Sequence, residues 1–378
     1  MKLKIEREKI LPTLNLVGNV VEKRQTLPIL ANLYFALEKG RLLVVGTDIE
    51  VEISQIIDGV DGDDGSFTLA TQKILDIIRM LPENAAISVK QEKDKAVVTS
   101  GRSRYTLKTL PADDFPRIET GDWEERFKIK QSALKALLDK TAFTMAVQDV
   151  RYYLNGVLFQ LSANQLRAIA TDGHRLAQSD ADIKLKAKEG RELIVPRKAV
   201  VEITRFIGSE DDGDDNNGKK EPELTVEMSN NHLKLTKGQT VLITKLIDGK
   251  FPEFKGVMEK ETDIKVDVNR LELIDTLTRA AVLTTANEKF RGIKLNLESG
   301  VLRVTAKNLE QEEAVEEMDV EYDGEPQEIG YNVVYLIDVA RASNSERIEL
   351  NLRSSDGICI MKEPGNERTI WLIMPMRI

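Results

Sequence analysis

Three stretches of the chain open with the same pattern of apolar and polar positions. Leu3-Lys4-Ile5 leads into Glu8-Lys9-Ile10-Leu11, Phe127-Lys128-Ile129 leads into the run from Ser132 to Leu138, and Ile264-Lys265-Val266 leads into the run from Leu271 to Leu277. A period of two followed by a period near 3.6 predicts a short strand and then an amphipathic helix. A hairpin pattern follows each time. Leu33–Leu37 turns at Lys39-Gly40 into Leu42–Asp48; Val157–Leu161 turns near Asn164 into Leu166–Asp172; Ile293–Leu297 turns at Ser299-Gly300 into Leu302–Asn308. The endings match as well. Leu107–Leu110 precedes Phe115-Pro116, Ile243–Leu246 precedes Phe251-Pro252, and the third copy ends on Trp371-Leu372-Ile373-Met374-Pro375. From the first copy to the second, the Thr-Asp step recurs after 124 residues and Phe-Pro after 136. Most of the difference is one acidic insertion, Glu210 to Lys220.

A second helix is predicted in each copy, over 71–81, 196–207 and 332–343, beside first helices over 7–23, 130–144 and 269–283. Pro196 suits a first helical position. The expected fold is α+β: three tandem copies of one unit, each with two helices packed on antiparallel sheets, over residues 1–122, 123–254 (with the insertion near 209–221) and 255–378. A length of 378 residues leaves ample core for such units. The single cysteine, Cys359, excludes a disulfide within the chain, which suits a reducing compartment. The first residues lack an apolar run that could act as a signal or span a membrane. A cytoplasmic protein without membrane contact is expected.

The net charge of −9 argues against a nucleic-acid partner. Its distribution changes that picture. The six predicted helices hold fourteen Lys and Arg against eight Asp and Glu, a surplus of six, so the rest of the chain carries −15. A cationic helical layer on an acidic body suits a polyanion passing one face. Helices with Lys and Arg on solvated faces would give the same surplus, so charge alone leaves both readings open. The repeats add a second consideration. Tandem units can continue one sheet from copy to copy, leaving one unpaired edge at each end of the chain. A head-to-tail partner would cover both, and turns of about 60° per unit would close two chains into a ring of six units. The presumed ends differ in charge: Arg102 and Arg104 in copy one, and the run from Glu310 through Glu313 to Glu317 in copy three. They suit a joint, or equally two separate solvated strands.

Catalytic patterns are weak. Asp172-Gly173-His174-Arg175 resembles a catalytic cluster, but its Thr-Asp step recurs at Thr47-Asp48 without a histidine, and the only other histidine is His232. Asp212, Asp214, Asn216 and Glu223 imitate a calcium loop, but Asn217 stands where glycine is required. No phosphate-binding loop or metalloprotease motif occurs. No catalytic residue, metal or cofactor is expected. An enzyme using Asp172 and His174 is the rival class, to be detected by turnover lost on His174→Ala.

At the level of specific words the chain resembles, from end to end, the bacterial DNA polymerase III beta subunit family, the sliding clamps. The words are Thr26-Leu27-Pro28-Ile29-Leu30, Gly101-Arg102-Ser103-Arg104, Gln148 to Gly156, Ala170-Thr171-Asp172-Gly173-His174-Arg175-Leu176-Ala177, Val195-Pro196-Arg197-Lys198, Asn287-Glu288-Lys289-Phe290-Arg291-Gly292, and Met374 to Ile378. The resemblance implies a head-to-tail homodimeric ring with helices lining the hole and sheets outside. It implies a non-catalytic tether that encircles duplex DNA without sequence specificity and holds the polymerase III alpha subunit, the clamp-loader delta subunit and other proteins bearing a clamp-binding motif. A paralogue serving other DNA transactions is the runner-up. By the same resemblance, Arg24, Gln148, Tyr152, Tyr153, Arg197 and Lys198 would touch DNA, ordinary packing being the other role open to the two tyrosines. A partner-peptide pocket would be formed by Leu154, Thr171, Gly173, His174, Arg175, Leu176, Pro252, Val257, Phe290, Asn332, Tyr335, Leu372, Ile373, Met374, Pro375, Met376 and Arg377. Gly256 stands where the family carries a basic residue before Val257. Val282 and Leu283 would join Arg102, Arg104, Glu310 and Glu313 at the dimer interface, a place in the core being the alternative for the apolar pair.

Overall fold

The computed structural model describes all residues except 23–26, 163, 185–189, 209–220, 260, 285–290 and 378. The acidic insertion and all of its calcium-loop imitation except Glu223 lie outside the described residues, as do Arg24 and Phe290. One order of elements runs through the chain three times. A first strand (Lys2–Glu6, Glu125–Lys130, Ile264–Asn269) enters a helix: α1 (Arg7–Gly18), α3 (Gln131–Thr141) or α6 (Arg270–Ala280). A hairpin and further strands lead to a second helix: α2 (Thr71–Met80), α4 (Arg197–Gly208) or α7 (Val333–Ala342). Three more strands close each pass. One short helix, α5 (Lys255–Met258), was not expected from the apolar periodicity.

The pairing within each pass is also the same. The first strand pairs with the strand after the second helix: Ile5 lies opposite Ile87, Phe127 opposite Val226, and Val266 opposite Leu350. Between passes, sheets are shared. Thr240–Lys245 pairs with Val51–Asp58, Leu242 opposite Ile53, making one eight-stranded sheet. Arg175–Asp182 pairs with Thr369–Ile373, Ala177 opposite Trp371, making another. A five-stranded sheet ends on Ser103–Lys108, and a four-stranded sheet ends on Glu313–Asp319. The chain gathers into two compact units, Met1–Gln131 with Lys198–Leu246, and Ser132–Arg197 with Ile247–Ile378, so the middle repeat contributes to both.

Small residues set the close approaches in the first unit. A Cβ on Gly18 would lie 2.9 Å from Leu75 Cδ1, and one on Gly46 would lie 2.2 Å from the Val17 carbonyl oxygen. Glycine at these positions lets α1 sit against α2 and against the strand Arg41–Thr47. The fully buried Leu14, Val17, Leu33 and Ile78 belong to this core, each worth about 1.5–3 kcal/mol on burial. Gly18 also ends α1 five residues before the expected 23, because glycine is the poorest helix former after proline. Two other first helices are shorter than expected: α3 and α6 tighten into 3-10 turns at Ala142–Thr144 and Ala281–Leu283. Pro196 is the last residue of the strand Arg191–Pro196, opposite Gly156, and the helix begins one residue later. Asn269 and Asn332 cap α6 and α7, their side-chain oxygens accepting from Glu272 N at 3.1 Å and Val334 N at 3.0 Å.

Candidate functional site

The second unit holds a cavity of about 230 Å3 lined by Arg151, Tyr153, Leu154, Thr171, Gly173, Arg175, Leu176, Pro252, Glu253, Phe254, Val257, Met258, Leu372 and Met374. Nine of the residues expected at a partner-peptide pocket are here: Leu154, Thr171, Gly173, Arg175, Leu176, Pro252, Val257, Leu372 and Met374. The floor belongs to an apolar cluster containing Leu158, Ile169, Leu176, Phe251, Phe254, Ile360 and Leu372. Phe251 and Phe254 meet edge to face, with ring centroids 6.3 Å apart.

The turn that carries Thr171 to Arg175 is fastened internally. Thr171 Oγ1 donates to the Arg175 carbonyl at 2.6 Å and accepts from Gly173 N at 3.0 Å. Asp172 Oδ1 accepts from His174 N and Arg175 N, at 2.9 and 3.1 Å, and Oδ2 accepts from Arg175 Nε at 3.0 Å. Both oxygens of Asp172 are thus committed to the turn, which gives it a structural task in place of the base an enzyme would need. Gly173 has φ +88°, and a Cβ there would lie 3.2 Å from Arg151 Nη1. Arg175 reaches on from the turn to Asp338 Oδ2 at 2.7 Å and the Phe143 carbonyl at 2.9 Å, with its guanidinium 4.4 Å from the Tyr335 ring centroid. The wall is therefore held rigid by charge-assisted hydrogen bonds and a cation–π contact. Burial raises the Tyr335 hydroxyl above its ordinary pKa.

Other expected pocket residues sit elsewhere in the same unit. Ile373 is a correction: it faces the opposite side of its strand, fully buried in the core that also holds Trp371, while Leu372 faces the cavity. Neighbours on a strand point to opposite faces. Asn332 is buried as the α7 cap, and Tyr335 lies behind Arg175. The end of the chain is tied on two sides: Met374 N donates to the His174 carbonyl at 2.8 Å and Met376 N to the Gly330 carbonyl at 2.9 Å. Pro375 packs beside Gly357, and Arg377 is exposed. Phe290 lies outside the described residues. Glu253, Phe254 and Met258 escaped sequence reasoning, although Phe254 follows the repeated Phe-Pro step by two residues. A Cβ on Gly256 would meet nothing within 4 Å, so the rim is open there.

The residues expected to touch DNA divide between the units. In the second, the loop from Met145 to Asn155 is braced at several points. Asp149 N donates to Asn155 Oδ1 at 3.0 Å, Asn155 Nδ2 to the Asp149 carbonyl at 2.8 Å, and Arg197 Nη1 to the Met145 carbonyl at 3.3 Å. Arg151 forks onto Asp149, holding that carboxyl down to about 2 through its side-chain hydrogen bond. Gln148 sits at φ +53° and is exposed. Tyr152 is 57% exposed, so the packing role falls away for it. Tyr153 is half-buried, lines the cavity and meets Tyr152 edge-on at 5.8 Å. In the first unit, Lys198 pairs with Glu22 and Asp48. Arg24 lies outside the described residues.

Of the residues expected at a dimer joint, Arg102 and Arg104 are exposed at and beside the open edge strand of the five-stranded sheet. Glu310 and Glu313 are exposed at and beside the open edge of the four-stranded sheet, with Glu313 paired to Lys307 at 3.0 Å. Val282 is 78% exposed, which removes the core alternative for it; Leu283 is half-buried. Among the described residues, no group of three or more His, Cys, Asp and Glu is placed to hold a metal ion.

Three family models match in chain order: the DNA polymerase III beta subunit N-terminal domain over residues 1–119, its central domain over 128–253, and its C-terminal domain over 255–377. The chain is 41% identical to the beta sliding clamp of Pseudomonas aeruginosa, over the full length of both chains. It superposes on the crystal structure of the DNA polymerase III subunit beta from that organism with a TM-score of 0.94, at 40% identity and full coverage of both. The same organism's clamp bound to griselimycin is similar with a TM-score of 0.93, again at 40% identity and full coverage. The three tandem clamp domains therefore place this chain in the DNA polymerase III beta subunit family, the sliding clamps, non-catalytic processivity factors of DNA replication.

Proposed function

We propose that two copies of this chain join head to tail in a ring around duplex DNA, and that the cavity in the second unit receives a short apolar peptide from proteins that work on that DNA. The observation carrying this is two of the sheet edges, one bordered by Arg102 and Arg104 and the other by Glu310 and Glu313. Each edge leaves strand groups that a second chain satisfies. The repeats divide at 1–122, 123–254 and 255–378, and Val282 and Leu283 add apolar contact at the joint. A ring of this kind holds DNA through phosphate contacts without reading bases. Gln148, Tyr152, Tyr153, Arg197 and Lys198, with Arg24, are the residues assigned to that contact.

The pocket's apolar floor, adaptable Met258 and Met374, and fixed Arg175 suit a peptide with two or three apolar side chains. Leu154, Thr171, Gly173, His174, Arg175, Leu176, Pro252, Val257, Phe290, Asn332, Tyr335, Leu372, Met374, Pro375, Met376 and Arg377 are assigned to it or its margin. The bound griselimycin in the Pseudomonas aeruginosa clamp supports a ligand-binding role for the family. The occupants are the polymerase III alpha subunit, the clamp-loader delta subunit and other carriers of the motif. The protein works in the cytoplasm; no helix of the described residues is long and apolar enough to cross a membrane. The decisive experiment combines dimer mass in solution with retention on nicked circular DNA that is lost on linearisation. A monomer at micromolar concentration with no such retention overturns the ring. For the pocket, deleting Met374 to Ile378 is expected to abolish polymerase binding and leave the dimer intact; equal affinity for the truncated chain rejects the assignment.

A further inference from the structure

Lys198 is the first-unit residue assigned to DNA that the structure describes, and its ammonium is already occupied. Its Nζ sits between the Glu22 and Asp48 carboxylates, with the lysine side chain 27% exposed. The two acids differ in freedom. Asp48 is fixed: its Oδ1 accepts from Glu50 N at 3.0 Å and Val51 N at 2.7 Å, which leaves Oδ2 directed at the lysine. Glu22 is 56% exposed, and Lys198 is its hydrogen-bond partner. One turn further along α4, Glu202 hydrogen-bonds Arg205 at 2.6 Å and attracts the lysine only through longer-range charge. Burial disfavours the ammonium, but the hydrogen bonds to Asp48 and Glu22 outweigh it and raise the lysine's pKa, so its charge is permanent.

We propose that Glu22 is a mask on the DNA contact of Lys198, an exposed carboxylate that a backbone phosphate must displace before the lysine can bind it. The proposal rests on the DNA-binding reading above. A lysine that begins in an ion pair gives a phosphate less than its full charge, because the displaced carboxylate is left uncompensated near the DNA. The contact is then weak and its salt dependence shallow, as suits a ring that must slide. Freeing the lysine would add one full phosphate contact, which steepens the dependence of log K on log salt by up to about 0.9.

The test is a double-mutant cycle on the full-length protein, read by binding to a fluorescently labelled duplex oligonucleotide across a salt series. Glu22→Gln is expected to bind several-fold tighter at low salt and with a steeper slope, and Glu22→Ala to behave the same way. Lys198→Ala is expected to weaken the parent's binding, to cost several-fold more in the Glu22→Gln background, and there to remove the whole gain. That dependence separates masking from a general loss of negative charge, which would strengthen binding whether or not the lysine were present. The melting temperature of each variant guards against misfolding. Equal or weaker binding by Glu22→Gln, or the same loss from Lys198→Ala in both backgrounds, overturns the mask. If the parent is still retained on nicked circular DNA, the ring stands while the mask falls; if it is not retained, both fall.

Discussion

At the scale of single residues, the internal repeat holds down to hydrogen bonds. The turn after Thr171-Asp172 is matched by the one after Thr47-Asp48, where Thr47 Oγ1 donates to the Val51 carbonyl at 2.9 Å and accepts from Ile49 N at 3.0 Å. Position three of each turn is left-handed: Gly173 at φ +88° and Ile49 at φ +78°. The Thr-Asp step was legible as a repeated strand end. The strained backbone at Ile49 was not, because a β-branched residue is the last one sequence reasoning would put there. Ile49→Gly is therefore expected to stabilise the protein. Relief of about 1–2 kcal/mol of left-handed strain outweighs about 0.5–1 kcal/mol of added chain entropy. A rise in the urea midpoint checks this, and an unchanged or lower midpoint rejects it. Gly173→Ala should do the reverse, since it adds strain and presses on Arg151. Cys359 offers a second prediction at this scale. Complete burial pushes its thiol up to about 12, so native protein should resist alkylation at pH 8 and label only on unfolding. Prompt labelling of the folded protein would contradict the burial.

At the scale of elements, hairpins were readable and their assembly was not. Alternation with a glycine or asparagine turn marks each hairpin locally. By contrast, the pairings of Thr240–Lys245 with Val51–Asp58 and of Arg175–Asp182 with Thr369–Ile373 join strands almost two hundred residues apart, and no local pattern specifies the partner. Alternation along Thr369–Ile373 turns Leu372 towards the cavity and Ile373 into the opposite core. The cationic surplus of the helices is also less available than composition suggested: Lys135 pairs with Asp139, Arg279 with Glu316 and Lys140 with Glu363. The last of these fastens α3 to the turn between the strands Cys359–Lys362 and Thr369–Ile373, and that turn also holds the residues just after α7. Glu363 accepts from Lys140 Nζ at 2.9 Å, Ser343 Oγ at 3.1 Å, Asn344 N at 3.0 Å and Asn366 Nδ2 at 2.6 Å, while Trp371 Nε1 donates to the Lys140 carbonyl at 2.9 Å. Burial alone would raise the Glu363 pKa, but these hydrogen bonds outweigh it and lower it. A carboxylate with a depressed folded pKa contributes stability above its unfolded pKa and loses it as pH falls through the folded value. Glu363→Gln is expected to lower stability by about 1.5–3 kcal/mol at neutral pH. The gap to the parent should narrow steadily below the ordinary carboxylate range. A gap constant from pH 7 to pH 3 would show that the charge of Glu363 is not what holds this junction.

At the scale of the whole molecule, two of the sheet edges, Ser103–Lys108 and Glu313–Asp319, have surroundings that differ in sign, and that difference can be tested by exchanging it. The strand Ser103–Lys108 and its turn present exposed Arg102 and Arg104, and no acidic residue lies within that strand. The strand Glu313–Asp319 carries Glu313, Glu316 and Glu317, each paired within the chain, to Lys307, Arg279 and Arg303. If the proposed head-to-tail dimer forms through these edges, this internal pairing predicts that the joint depends more on strand hydrogen bonds and on apolar contact from Val282 and Leu283 than on charge, with charge selecting which edges meet. Reversing Arg102 and Arg104 to Glu should weaken the dimer by about 1–3 kcal/mol, roughly 5- to 150-fold, since each exposed pair is worth about 0.2–1 kcal/mol and reversal turns attraction into repulsion. Reversing Glu310 and Glu313 to Lys should do the same. The two double variants, mixed, should form a dimer with one restored joint and one doubly reversed joint, whereas a single chain carrying all four reversals has the original pattern at both joints with the signs exchanged. That chain is expected to recover most of the parent's dimer affinity, measured by sedimentation at low salt, and the differences among the variants should shrink as salt rises. A fourfold variant that stays as weak as the two double variants would mean that these arginines and glutamates do not face one another, and that the edges are joined in some other way.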